Sequence, residues 1–195
     1  SRWIDDQFGV SLLPGIVVDA AAASYGLESP DNAIISDYPV ALLPQPPDGH
    51  SVMKHARGLR VGEHLDWRTA ARLESSPRSW NETGDLSGQV SRDPARGEQA
   101  GPLAVGVALQ HDSASQAQGR AWVIGGSQWL GNDRIGQAAN LQLASALVNW
   151  LSGNEELAGT RPAPGLEIRW SPMLGSLLAI GLMAGLPLLY LALGL

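Results

Sequence analysis

Apolar residues in 138–151 recur at the spacing of one helical face: Leu141, Ala144, Leu147, Val148 and Leu151. This predicts the clearest helix of the soluble part, with Asn140 in its first turn or capping it and Gly153 as its stop. Ahead of it, 103–109 and 120–125 are apolar runs with turn residues around them, and both predict core strands. Ile16, Val17, Val18 and Asp19 follow a Pro-Gly turn and predict another. Residues 2–8 place Trp3, Ile4 and Phe8 on one helical face, closed by Gly9. Residues 50–58 suggest a short helix capped by Asp48, and 69–73 a strand. The prolines in 20–49 forbid long helices there, leaving short extended pieces at 33–38 and 40–43. Residues 74–100 are polar without either period and predict a surface excursion anchored by Trp80. Strand, loop and long helix in that order predict an α/β fold with helices packed on a sheet.

The pattern changes at the end of the chain. Residues 172–195 carry no charge, and this length of helix matches a bilayer core of about 30 Å. Arg169 and Trp170 sit where a snorkelling cation and an interfacial aromatic belong. The segment is therefore predicted to span a membrane, with membrane lipid around it. Gly181 and Gly185 form a small-xxx-small pair suited to close packing against another helix. The domain organisation expected is an α/β domain over 1–158, a linker over 159–171 and a transmembrane helix over 172–195. The start at Ser1 and the end within an apolar run suggest a piece of a longer protein.

The formal net charge of −6 argues against nucleic acid as a partner, because phosphate binding needs a basic footprint. Lys54 is the single lysine. Without cysteine there is no thiolate catalysis, disulfide or Cys-ligated zinc in this sequence. The 23 glycines and 13 prolines show no repeat, which fits a loop-rich domain.

Candidate chemistry is sparse. Gly125-Gly126-Ser127-Gln128-Trp129 follows a strand and precedes a helix, the context of a hydrolase nucleophile elbow. Trp129 fills the place of the second glycine, and His111, the nearest candidate base in sequence, precedes the serine. Asp112 and Asp133 are the acids such a triad would draw on. His50, His55 and His64 make no i, i+4 pair and no metal motif, so no metal and no cofactor is expected. In open α/β sheets ligands favour the carboxyl ends of strands, which singles out Asp19, Gly125, Gly126, Ser127 and Asn132 as a candidate ligand-binding set. No catalytic residue is assigned.

Several segments together resemble one family. Phe8-Gly9-Val10 followed by Gly15 to Asp19, Ser79-Trp80 followed by Gly101-Pro102, the run from Arg120 to Asn132, and Asn140 through Asn149-Trp150-Leu151 resemble, in order, motifs of the GldG-type auxiliary proteins of ABC transport systems, linked to gliding motility. Gly126 stands where that family has Asp, so no carboxylate role is carried to that position. The resemblance implies a class I glutamine amidotransferase-like fold whose first βα unit and first membrane helix lie upstream of Ser1. It implies a non-enzymatic, membrane-anchored auxiliary subunit of the bacterial inner membrane. Its domain would be periplasmic, with ABC permease and ATPase subunits as partners. A membrane-tethered serine hydrolase using Ser127 and a ligand-binding module are the other readings the sequence allows.

Overall fold

The computed structural model describes residues 2–40, 46, 48–88, 90–111, 119–153 and 183. The chain divides into two units, Ser1–Arg161 and Pro162–Leu195. The first holds every element below.

Helix α1 (Arg2–Phe8) leads into β1 (Val10–Leu12), then β2 (Ile16–Asp19), β3 (Asn32–Ile35), β4 (Ser51–Lys54), β5 (Leu59–Val61), β6 (Trp67–Glu74), β7 (Ser79–Glu82), β8 (Ala104–His111), β9 (Arg120–Ile124) and helix α2 (Asn140–Leu151). Among the described residues all pairings are antiparallel: β1 with β5, β2 with β7, β3 with β4, and a three-stranded sheet in the order β6-β8-β9. This overturns the expected α/β, amidotransferase-like sheet. Parallel strands need crossovers of a dozen residues or more, usually helical. Among the described residues the one helix of that length, α2, comes after β9, and no strand follows it.

Strand β8 is the centre. Its first six residues are buried, and its side chains feed two cores. Val105 and Ala108 join Val17, Ile35, Met53, Leu73, Trp129, Leu143 and Trp150. Val107 and Leu109 join Val10, Leu59 and Val123, with Ile4, Phe8 and Trp67 packed against them. The small pairs therefore cover both faces of the three-stranded sheet, and apolar burial on two sides is what makes β8 continuously hydrophobic.

Short pairs leave many backbone groups at their ends, and these are satisfied across pairs. The Leu13 and Val17 amides donate to the carbonyls of Gly58 and Ala56, tying the ends of β1 and β2 to the segment after β4. Asn140 docks α2. Its Oδ1 accepts from the Val52 amide at 2.8 Å, and its Nδ2 donates to the Val52 carbonyl at 3.0 Å. The side-chain amide thus behaves as one more rung on β4.

Three further expectations are corrected. Residues 50–58 hold β4 and not a helix: Val52 and Met53 enter different apolar clusters, as alternating strand residues do. Residues 74–100 contain β7, which pairs with β2, and a buried carboxylate that orders the loop. Glu98 accepts from the Thr83 amide and hydroxyl, each at 3.0 Å, and from the Asp93 amide at 2.6 Å. Finally, α2 buries Leu143, Ala146, Leu147 and Trp150; of the expected face Leu147 is buried and Ala144 packs against the core, while Leu141, Val148 and Leu151 are exposed. The Asn140 bonds and the wedge of Trp150 against Trp122, 5.7 Å between ring centres, set that rotation.

The membrane expectation is also corrected. No helix among the described residues is long and apolar enough to cross a membrane. The 12 residues of α2 span about 18 Å, well short of a bilayer core, and its inner face is spent on the domain's own interior. The proposed span over 172–195, with Gly181 and Gly185, lies outside the described residues apart from the exposed Met183. The single inner-membrane span thus has no counterpart in the described structure.

Replacing Asn140 with Ala leaves both Val52 groups without their partner. Chemical denaturation is expected to show a loss of about 2 kcal/mol or more, and an unchanged midpoint would contradict the docking role. Glu98 adds a pH dependence. Burial pushes its pKa up, but the bonds from Asp93 and Thr83, with a contribution from Glu82, outweigh this and hold it below the ordinary 4.5. A carboxylate whose folded pKa is depressed stabilises the fold above its unfolded value and loses that contribution as pH falls through the folded one. Thermal melts of the wild type should therefore fall off below about pH 4.5, and Glu98→Gln should flatten that acid limb.

Candidate functional site

The residues singled out at strand ends have separate partners in the structure. Asp19 is buried at the end of β2. Its Oδ1 accepts from the Ala21 amide at 2.9 Å and the Ser76 hydroxyl at 2.6 Å. Its Oδ2 accepts from the Ile34 amide at 3.1 Å and the Ser76 amide at 3.4 Å. Four donors from β3, the turn before β7 and the residues after β2 saturate the carboxylate. A buried charge is tolerated only when paired or fully hydrogen-bonded, and Asp19 satisfies the second condition.

Gly125 is a crossing point. Its amide donates to the Val105 carbonyl at 2.8 Å, and its carbonyl accepts from the Arg57 amide at 3.0 Å. A Cβ at this position would lie 1.9 Å from the Arg57 carbonyl oxygen, so only glycine lets the two chains approach. Gly126 is looser, with the nearest atom 3.4 Å from such a Cβ. Trp129 is buried, and its Nε1 donates to the Gly126 carbonyl at 3.2 Å. The indole that occupies the second glycine position of the elbow pattern therefore closes the turn from the core side.

Ser127 and Asn132 are exposed. Among the described residues no hydrogen bond joins the Ser127 hydroxyl to a histidine. His111 ends β8, where its amide bonds to Gly119 and its ring meets Trp67 at 5.1 Å. Ser127 follows the other end of β9, next to the start of β8. The separation along the strands is roughly 20 Å. Asp133 pairs with Arg134 at 3.5 Å, and Asp112 lies outside the described residues.

Sequence reasoning missed one polar cluster beside this turn. Asp31, buried, holds His55 Nε2 at 2.9 Å and Lys54 Nζ at 3.9 Å, and accepts from the Ser29 hydroxyl. His55 adopts a left-handed backbone, φ 52°, and its own amide bonds to the Asp31 carbonyl. The alternation of β4 would have signalled it, since Lys54 ends that strand opposite Asn32 and His55 follows it. The cluster staples the β3-β4 pair; its carboxylate is already shared among three partners. Among the described residues no group of His, Asp and Glu is arranged to hold a metal ion.

A second missed feature is a groove of about 570 Å³ beside β6. It is lined by Val61, Gly62, Glu63, His64, Trp67, Arg68, Thr69 and Arg72. No family model, curated protein or solved structure matches this chain.

The two glycines of the turn should respond differently to one methyl group. Gly125→Ala forces the backbone apart at Arg57 and is expected to cost about 2 kcal/mol or to prevent folding, whereas Gly126→Ala should stay within about 1 kcal/mol of the wild type. Equal denaturation midpoints for the two variants would refute the crossing-point role of Gly125.

Proposed function

We propose that this chain is a non-catalytic binding subunit that acts as an auxiliary component of an ABC-type transport or gliding-motility system, with permease or ATPase subunits as its partners. The observation that carries the binding reading is the outer face of α2. Leu141, Val148 and Leu151 recur along one side of the helix and are 46%, 63% and 42% exposed. The opposite side of the same helix already fills the core. A helix that is apolar on both sides presents a stripe for another protein, and the i, i+7 and i+10 spacing of these residues keeps them on one side for helix recognition. The polar residues of the strand-end turns support the same reading, since Asp19 and Asp31 are committed to holding strands together. The transport assignment rests on the ordered motifs that resemble the GldG-type auxiliary proteins.

The test is recovery of ABC subunits with the tagged chain from its native host. Val148→Asp, together with Leu141→Asp, is expected to leave the unfolding midpoint within about 1 kcal/mol, because both side chains face solvent, and to remove most of the recovered permease or ATPase. Undiminished recovery by the double variant refutes the α2 surface. Absence of any ABC subunit with the wild type refutes the transport assignment.

A further inference from the structure

Strand β6 lies at the edge of its sheet, and among the described residues β8 is its one strand partner. Its outer edge therefore presents backbone amides and carbonyls that the sheet does not use. The ladder is irregular: Thr69 stands opposite Leu109, but Ala71 stands opposite Ala108, so Ala70 is an inserted residue. This bulge reverses the facing of everything after it. In a regular strand Arg72 would point away from Trp67 and Thr69. Here Trp67, Thr69 and Arg72 stand opposite His111, Leu109 and Val107, which share one face of β8. Arg72 is thereby delivered to the same side as Trp67, and both line the groove.

Arg68 and Arg72 are exposed, and among the described residues neither has an ion-pair or hydrogen-bond partner. Glu63 is the one carboxylate in the groove lining. In a chain of net charge −6, this is a local reversal of sign. Charged residues and a bulge on an edge also bar one wrong partner: a second copy meeting edge to edge would set arginines against arginines. The same arrangement favours a strand of the opposite charge.

We propose that the β6 edge and its groove receive an extended acidic segment of a partner protein, which adds as a further strand to β6 and is held by Arg68 and Arg72. Backbone hydrogen bonds to the free edge supply the docking, and the two guanidiniums supply the selection. The register specifies the ligand further. Arg68 and Arg72 stand opposite Gln110 and Val107, three rungs apart and on opposite faces. Side chains of an incoming strand alternate faces, so carboxylates three positions apart reach both arginines. This surface is separate from the α2 stripe and stands whether or not the partner of α2 belongs to an ABC system.

The test is a fluorescence-anisotropy titration of the full chain with a short labelled peptide of high strand propensity, carrying two glutamates three positions apart. Arg68→Ala with Arg72→Ala, both at exposed positions, is expected to weaken binding about tenfold, as is the peptide with glutamine for glutamate. Raising the salt concentration should weaken the wild-type interaction and leave the residual binding of the double variant unchanged. Methylating the peptide's edge-facing amides should abolish binding, because strand addition needs those donors. Failure of the glutamate peptide to bind, or equal affinity for the glutamine peptide, overturns the proposal. Unchanged binding of the methylated peptide, together with displacement by inorganic phosphate, overturns strand addition in favour of a simple anion site. Loss of ABC subunits in the Val148 and Leu141 variants bears on the other surface alone, so the two readings fail independently.

Discussion

The buried carboxylate of Asp19 is the constraint on which the assembly of this domain depends. Its pairs of short strands share few rungs, and each pair alone exposes more backbone than it satisfies. Asp19 ends β2 and collects donors from β3 and from the turn that leads into β7. Two pairs, β2-β7 and β3-β4, are thereby linked through one side chain, which adds to the backbone bonds from the Val17 and Asp19 amides to the Ala56 and Pro30 carbonyls. Removing the charge would leave three backbone amides and a hydroxyl to be satisfied in a place that excludes water. Removing β3 or the Ser76 turn would leave buried carboxylate oxygens without their donors.

The same solution recurs wherever two elements meet without a continuous ladder. Asn140 supplies a donor and an acceptor to Val52, so α2 is registered against β4 by a side chain in place of a strand. Arg57 donates through Nε and Nη2 to the Leu13 carbonyl, at 3.2 and 2.7 Å, while its backbone meets Gly125. The Gly15 turn passes so close to β7 that a Cβ would lie 1.8 Å from the Glu82 carbonyl oxygen. Small sheets, polar staples and glycine crossings belong together. The staples are needed because the sheets are small, and the crossings are possible because the staples hold the chains at contact distance.

That economy explains which parts of the structure could be read in the sequence. The strands β2, β8 and β9 and the helix α1 were legible because local pattern and burial agree there: Val17 and Val18, or Val105 to Leu109, are apolar for a reason visible along the chain. Strand β4 was not, because Lys54, His55 and Arg57 put polar residues at its end for contacts with Asp31 and Leu13, which are distant in sequence. The face of α2 was misread for a related reason. The helix is apolar on two sides, so periodicity alone offers two solutions, and the choice is made by Asn140 and Trp150 docking on β4 and β9. The α/β expectation failed on connectivity. A long helix after a strand implies a parallel crossover only if another strand follows it. Of the candidate set, Asp19 is distinguished by the donors its carboxylate collects and Gly125 by the close chain crossing at Arg57, and both depend on partners distant in sequence.

Two surfaces of the domain differ in chemistry. The stripe on α2 is apolar and lacks charged residues; its association would follow buried area and respond weakly to salt. The edge of β6 is cationic and directional; its association would follow register and weaken as salt rises. These are complementary demands on a partner, since one calls for shape and the other for sequence. The bulge at Ala70 is the detail that separates an edge merely protected from pairing from one that selects its partner. Protection needs charge anywhere along the strand, and Arg68 alone provides it. Selection needs charge on both faces of the incoming strand, and it is the inserted residue that turns Arg72 to the second face.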